Sequence, residues 1–308
     1  FNLGYGIEFG LGAAFRQIMM LMHSSFAAVV PMVTLNNGVE MPMVSLGTWQ
    51  YTSSVAESAV TLGLSLGFNH IDTANNYNNQ DGVGAALKGF NRSSFFLTTK
   101  VPPQTSPKKA YAGTTKDLES NLELLKLRSV DLVLLHYPPV TQSCSAMQEA
   151  WRAMEDFYAA GKARAIGVSN YCISSFECIL KTAKVTPAVN QIQFHVGMGT
   201  DPLGVKSYAD AKKIVTQAYS PLGDGSSDLI TGKLVTGIGQ HYNKTGAQVS
   251  LRWLKDHGIP LSTKATSAEY LSQDLDAVAG SWSLSAIDLA ALDGATKPSG
   301  KPSFICNS

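Results

Sequence analysis

Four residues of suitable type stand where they could share one proton-transfer site. Asp72 and Tyr77 follow one short apolar run, Lys100 ends a second, and His136 ends a third. An unperturbed phenol, with a pKa of roughly 10, is a weak acid for protonating an alkoxide near neutrality. A neighbouring ammonium favours the phenolate and lowers that value, which is the role expected of Lys100. Asp72 would hold Lys100 charged and oriented, and His136 would hydrogen-bond a carbonyl oxygen and set its approach. Together they suit delivery of a proton from Tyr77 as hydride reaches a carbonyl carbon. A Schiff base on Lys100 is the rival chemistry, but it needs a neutral amine, and an adjacent carboxylate opposes that. Taken singly, each residue has a plainer explanation: a strand-ending Asp as a helix cap, or a lone His as a structural hydrogen-bonding group.

The elements that must position these residues alternate along the chain. Met32 to Leu35, the turn signal Asn36-Asn37-Gly38 and the return from Val39 to Met43 read as a β-hairpin. Strand candidates then recur at Val44 to Leu46, Phe68 to Asp72, Phe95 to Thr99, Asp131 to Leu135, Ala163 to Val168, Ala188 to Ile192, Ile214 to Tyr219 and Ile259 to Ser262. Helix-period stripes such as Leu118, Leu122, Leu125 and Met147, Trp151, Met154, Tyr158 lie between them and read as core packing. The spacing from Ser54 to Glu57 suggests a capping box opening the first helix, which stops near Gly67. Continuous apolar strands need cover on both faces, and eight strand–helix units close into an α/β parallel (β/α)8 barrel of the TIM type, with the hairpin before it. A doubly wound sheet would carry a glycine-rich turn after its first strand. Gly82-Val-Gly84 lacks the third glycine and Gly10-Leu-Gly12 lacks the strand, so both read as ordinary glycines.

In such a barrel the chemistry gathers at the C-terminal ends of the strands. The polar residues there are Asp72 with Tyr77, Lys100, His136, Ser169-Asn170, Gln191, Tyr219 and Lys264. A ring of this kind is hard to attribute to packing.

Composition sets limits. The chain of 308 residues is 44% hydrophobic and 15% charged, enough apolar material for a large core. Its formal charge of +1, with Lys and Arg scattered, gives no electrostatic footprint for nucleic acid. The four cysteines, Cys144, Cys172, Cys178 and Cys306, form no CxxC pair and no zinc spacing. They read as reduced thiols, with no metal site. The sequons at Asn91 and Asn243 do not decide a compartment.

Six segments in order resemble the aldo-keto reductase family: Gly67-Phe-Asn-His-Ile-Asp-Thr-Ala-Asn-Asn-Tyr77, Leu97-Thr-Thr-Lys100, Asp131-Leu-Val-Leu-Leu-His136, Gly167-Val-Ser-Asn170, Val189-Asn-Gln191 and Ala218-Tyr-Ser-Pro-Leu-Gly223. The resemblance runs from about Val33 to Pro298. It implies NADPH-dependent reduction of an aldehyde or ketone, with Asp72, Tyr77, Lys100 and His136 as the catalytic tetrad. By the same resemblance Ser169, Asn170 and Gln191 would hold the nicotinamide amide, and Tyr219 would stack on its ring. Ser220, Leu222 and Gly223, with the loop reaching Gly225, would wrap the pyrophosphate. Gly47, Thr48 and Asp72 would face the cofactor, Trp49 and Tyr137 the substrate. The adenosine end would meet Lys264, Gln273 and Asp274. Tyr270 stands where the family usually has an arginine, so one bidentate phosphate contact is lost and NADH becomes the secondary cofactor. Tyr137 replaces a tryptophan, and Val101-Pro102-Pro103 replaces an aromatic, so the substrate pocket is reshaped.

Residues 32–308 are expected to form one domain, acting on a small carbonyl compound as a monomer or dimer in the cytoplasm. Residues 1–31 are largely apolar but interrupted by Arg16 and His23, against a clean spanning helix. A targeting segment with organellar import, a docking segment for a membrane or protein, and an artefact are the three readings. The docking reading motivates the alternative of a cofactor-binding accessory subunit, which intact Asp72, Tyr77, Lys100 and His136 argue against.

Overall fold

A computed structural model of the chain describes residues 29–299. Strands β1 (Met32–Thr34) and β2 (Glu40–Pro42) pair antiparallel as the expected hairpin, its turn closed by the Val39 carbonyl accepting from Leu35 N–H. Eight parallel strands follow: β3 (Val44–Gly47), β4 (His70–Asp72), β5 (Phe96–Val101), β6 (Val130–Leu135), β7 (Ala163–Ser169), β8 (Val189–Gln193), β9 (Val215–Tyr219) and β10 (Leu261–Thr263). They pair in chain order and close where β10 joins both β9 and β3. β10 starts after Pro260, which accepts from Ala218 N–H but has no N–H to give to a ladder. The expected strand from Ile259 is shortened accordingly.

Helices cover the outside. They are α1 (Ser53–Leu66), α2 (Gln80–Leu87), α3 (Pro107–Leu125), α4 (Cys144–Ala159), α5 (Ile173–Leu180), α6 (Val205–Ala211), α7 (Ser227–Ile230), α8 (Lys233–Tyr242), α9 (Gly246–Asp256), α10 (Ala268–Ala279) and α11 (Ala286–Asp293). Their starts follow capping chemistry. Thr52, rather than the anticipated Ser54, accepts from Val55 N–H at the start of α1, and Thr245 with Gln248 forms a full capping box on α9. Gly82, on α2, allows close helix packing: a Cβ there would lie 2.0 Å from the Ser53 carbonyl oxygen. It serves a helix contact rather than a phosphate cradle.

The period-2 alternation of the strands divides the core in two. Leu97, Val133, Leu135, Ile166 and Val168 join the large cluster shared with the helices, including Trp151, Met154, Leu118 and Leu125. Phe96, Leu132, Leu134, Ala165 and Val189 pack instead with Leu35 and Met41 of the hairpin region. The hairpin therefore seals the end of the barrel interior at which the strands begin. The same alternation carries Lys100 onto the face of Phe96 and Thr98, and His136 onto the face of Leu132 and Leu134.

Three of the thiols are not reduced as expected, and Cys306 lies outside the described residues. Cys144, the first residue of α4, is disulfide-bonded to Cys178 on α5, with Cα atoms 5.5 Å apart, and Cys172 is disulfide-bonded as well. Cysteines 34 residues apart show no local spacing motif, and the packing of α4 on α5 brings them together. Of the N-terminal extension only Val29 to Pro31 fall among the described residues. No described helix is long and apolar enough to cross a membrane.

Candidate active site

Every barrel strand except β5 brings residues at or just beyond its C-terminal end to the lining of one cleft of about 710 Å³. Asp72 closes β4, and a single 3₁₀ turn from Asn75 to Tyr77 brings Tyr77 into the cleft lining. Lys100 lies near the end of β5 and His136 directly after β6. The Lys100 ammonium, 1% exposed, forms an ion pair with Asp72, which is 3% exposed. It also donates to the Thr73 carbonyl at 3.1 Å and to Tyr77 Oη at 3.4 Å. The second Asp72 oxygen accepts from Gln191 Nε2 at 2.6 Å. The His136 ring meets Tyr77 edge-on with centroids 5.6 Å apart and stacks on Tyr137 at 4.7 Å. The tetrad named from sequence is thus one contiguous cluster.

Its electrostatics differ from the sequence expectation in one respect. Burial raises the Tyr77 phenol above its ordinary value, and the opposing pull of Lys100 does not reverse it. The expected lowering is therefore absent: a half-buried phenol loses more hydration than one buried ammonium returns, because Asp72 neutralises much of that ammonium's field. Burial works against the Lys100 charge too, but Asp72 and Tyr77 outweigh it, and its pKa ends above the usual lysine range. Burial, reinforced by Lys100, drives His136 well below the ordinary histidine value, so its imidazole is neutral.

On the opposite wall lie Ser169, which closes β7, Gln191 of β8 and Tyr219 at the end of β9. Asn170 is held left-handed at φ +61° behind them, donating to the His136 carbonyl at 3.0 Å and accepting from Tyr219 Oη at 2.8 Å. Gln191 Nε2 is shared between Asp72 and Gln217 Oε1, and no described residue donates to Gln191 Oε1. After β9 the backbone is left-handed at Ser220, Gly223, Asp224 and Gly225, a conformation that turns peptide N–H groups toward a concave surface. Leu222 lines the cleft there, and Ser220 Oγ donates to Asp224 Oδ1 at 2.5 Å. Gly47 closes β3 against β10, where a Cβ would lie 3.0 Å from Ser262 Oγ, and Thr48 N–H donates to the Asp72 carbonyl. Trp49 and Tyr137, 48% and 37% exposed, form the rim.

Five sequence-named residues do not line the cleft: Lys100 and Asn170 sit behind it, Gly223 lies in the turn after β9, and Gln273 and Asp274 lie on α10. Gln273 on α10 contacts Glu269 and Thr245, and Asp274 turns inward to accept from Thr263 Oγ1 at 2.8 Å, where burial pushes its carboxyl up to about 7. Lys264 does reach it, donating to Gln50 Oε1 at 2.8 Å with its ammonium 5.7 Å from the Trp49 ring centroid. Sequence reasoning missed Gln50 and Asn76. Gln50 follows Trp49 after β3, at φ +66°, and Asn76 meets His136 Nδ1 at 2.9 Å. Neither ends a strand, so the strand-terminus pattern could not single them out.

The Aldo/keto reductase family model matches residues 43–297, every barrel strand included. The chain belongs to the aldo/keto reductase family. This aldo/keto reductase is 36% identical to glyoxal reductase from Bacillus subtilis (strain 168) over 247 residues, 79% of this chain and 86% of that one. It is 33% identical to morphine 6-dehydrogenase from Pseudomonas putida, over 85% and 90% of the two chains. Among solved structures, an aldo-keto reductase enzyme from a Medee basin deep-sea metagenome library superposes with a TM-score of 0.81 at 30% identity, covering 90% of this chain and 100% of that one. The family uses NAD(P)H and reduces carbonyl compounds.

Proposed function

We propose that this enzyme reduces an aldehyde or ketone to the alcohol with NADPH, Tyr77 supplying the proton. The observation that carries the reading is the chain Asp72, Lys100, Tyr77 opening beside a neutral His136 into one cleft. A phenol raised by burial stays protonated at neutral pH and is thus loaded as an acid. Once the proton leaves, the Lys100 ammonium faces the phenolate oxygen, and Asp72 keeps that ammonium fixed. The neighbouring His136 would hold the carbonyl oxygen near Tyr77 Oη.

The reduced nicotinamide, when bound, supplies the hydride. The polar groups present suit it: Gln191 Oε1, to which no described residue donates, would accept from a carboxamide N–H, with Ser169 beside it and the Tyr219 ring flanking the cleft. The left-handed turn from Ser220 to Gly225 would receive the pyrophosphate and Lys264 the 2′-phosphate. Asn170 would act through Tyr219 and His136, to which it is bonded. Gln273 and Asp274 would support the adenosine end only from behind. The substrates named for relatives such as glyoxal reductase make short reactive aldehydes the first compounds to try.

Titration of intrinsic tryptophan fluorescence with NADPH and then NADH, followed by addition of a short aldehyde while the reduced cofactor is monitored by absorbance, tests the proposal. Tight NADPH binding followed by oxidation of the cofactor is expected. Binding without turnover would overturn the reductase assignment in favour of an accessory role, and equal affinity for NADH would remove the role given to Lys264.

A further inference from the structure

Lys264, the first residue after β10, is held by three consecutive residues of the turn that follows β3. Its ammonium donates to Gln50 Oε1 at 2.8 Å and lies 5.7 Å from the Trp49 ring centroid and 5.6 Å from that of Tyr51. The turn is itself pinned: Tyr51 N–H donates to the Thr48 carbonyl, and buried Asn79 Nδ2 donates to the Thr48 carbonyl at 2.7 Å and to the Tyr51 carbonyl at 3.0 Å. Gln50 sits at φ +66°, a left-handed backbone that a residue with a side chain adopts only where its surroundings impose it, so the turn fixes where that side chain leaves the backbone. None of these partners cancels the lysine's charge. A ring face attracts a cation through its quadrupole and an amide oxygen through its dipole, and Gln50 takes one of the three N–H donors. Asp224 acts on Lys264 through its field, and no carboxylate among the described residues pairs with that ammonium. A long, flexible side chain is thus ordered while its positive charge stays uncompensated, which suits an anion. Tyr270, which stands where the family usually has an arginine, is 60% exposed on α10 and does not line the cleft.

We infer that Gln50 is a positioning residue for cofactor choice: it holds the Lys264 ammonium ready for the cofactor's 2′-phosphate, and so carries part of the discrimination that the missing guanidinium at Tyr270 leaves to Lys264. Gln50 acts through Lys264, so its role rests on the proposed contact of that lysine with the 2′-phosphate. Because the lysine is ordered beforehand, the phosphate meets it without first freezing a flexible stem.

Binding titrations read by tryptophan fluorescence separate this role from packing, with NADH as the internal control because it lacks the 2′-phosphate. Gln50→Ala releases Lys264 and should weaken NADPH binding about five- to tenfold, the scale of ordering one long side chain on binding, while NADH affinity stays close to native. Gln50→Glu keeps the length and still holds Lys264 but neutralises it, so NADPH binding should fall by at least about tenfold, and further than in Gln50→Ala. Packing alone predicts the reverse order, since Glu matches the native shape. The same order is expected with 2′,5′-ADP, whose binding involves no turnover. In a Lys264→Ala background, Gln50→Ala should add no further loss, because the group it positions is gone. Equal weakening of NADPH and NADH, the reverse order of the two substitutions, or an additive loss in the double variant would overturn the role of Gln50. Lys264→Ala by itself tells the two assignments apart. If it removes the advantage of NADPH while Gln50→Ala does not, only the role of Gln50 falls; if it changes nothing, the 2′-phosphate contact falls and the role of Gln50 with it.

Discussion

Gln191 Nε2 donates to Asp72 Oδ2 at 2.6 Å across the barrel mouth, on the side of the carboxylate not taken by Lys100. Asp72 is therefore held from β5 and β8 at once, and one side chain ties the proposed proton-donor cluster to the wall proposed to hold the nicotinamide. Replacing Gln191 with Leu leaves Asp72 Oδ2 and Gln217 Oε1 without this donor in a buried setting. A stability loss of about 1–3 kcal/mol is expected from a buried acceptor left unsatisfied, read as a lower midpoint in urea. An unchanged midpoint would mean that water replaces the amide freely.

Tyr77→Phe removes the hydroxyl while keeping the ring against His136. NADPH affinity should stay close to native, and aldehyde reduction should fall by at least about a hundredfold, the lower end for a lost general acid. Substantial residual turnover in single-turnover measurements would assign the proton to another group.

Two buried groups give opposite pH slopes to stability. His70 bonds the Pro42 carbonyl and Thr98 Oγ1, and burial lowers it from 6.5 to about 4. As pH falls below 6.5 the unfolded chain takes up a proton that folded His70 refuses, so stability is lost until about pH 4. Asp274, raised by burial to about 7, does the reverse: between its unfolded value of 3.8 and 7 the folded state holds the extra proton, so stability rises as pH falls. The two offset each other between about pH 6.5 and 4. Asp274→Asn removes the gain and should raise the melting temperature at pH 7.5 while steepening the acid loss. Parallel melting curves for native and variant from pH 7.5 to 4.5 would contradict this.

The Cys144–Cys178 disulfide closes a loop of 34 residues in the unfolded chain. By loop entropy it contributes about 3 to 4 kcal/mol. The double variant Cys144→Ala/Cys178→Ala should melt at a clearly lower temperature than the native protein under non-reducing conditions. Equal melting temperatures would show the bond to be neutral for stability.

The barrel was legible because its signal is local. Apolar strand runs, helix-period stripes such as Met147, Trp151 and Met154, and the polar residue closing each strand all follow from short-range periodicity. Eight strand–helix units leave one closed arrangement. The residue types of Asp72, Tyr77, Lys100 and His136 at strand ends likewise pointed to one cluster, and the fold brings them together; proton transfer there remains the proposed role.

What the linear chain could not contain were quantities set by neighbours distant in sequence. The direction of the Tyr77 shift depends on how much hydration burial removes against how much Lys100 returns. The pairing of Cys144 with Cys178 depends on α4 packing on α5, and the inward turn of Asp274 on Thr263 depends on where α10 lies against β10. Asn76 is the sharpest case. As a residue type in a turn it carries no message, and only the folded barrel brings its amide within hydrogen-bond reach of a histidine sixty residues away. Periodicity is written in the chain, whereas desolvation and hydrogen-bond partnership exist only once the chain has closed on itself.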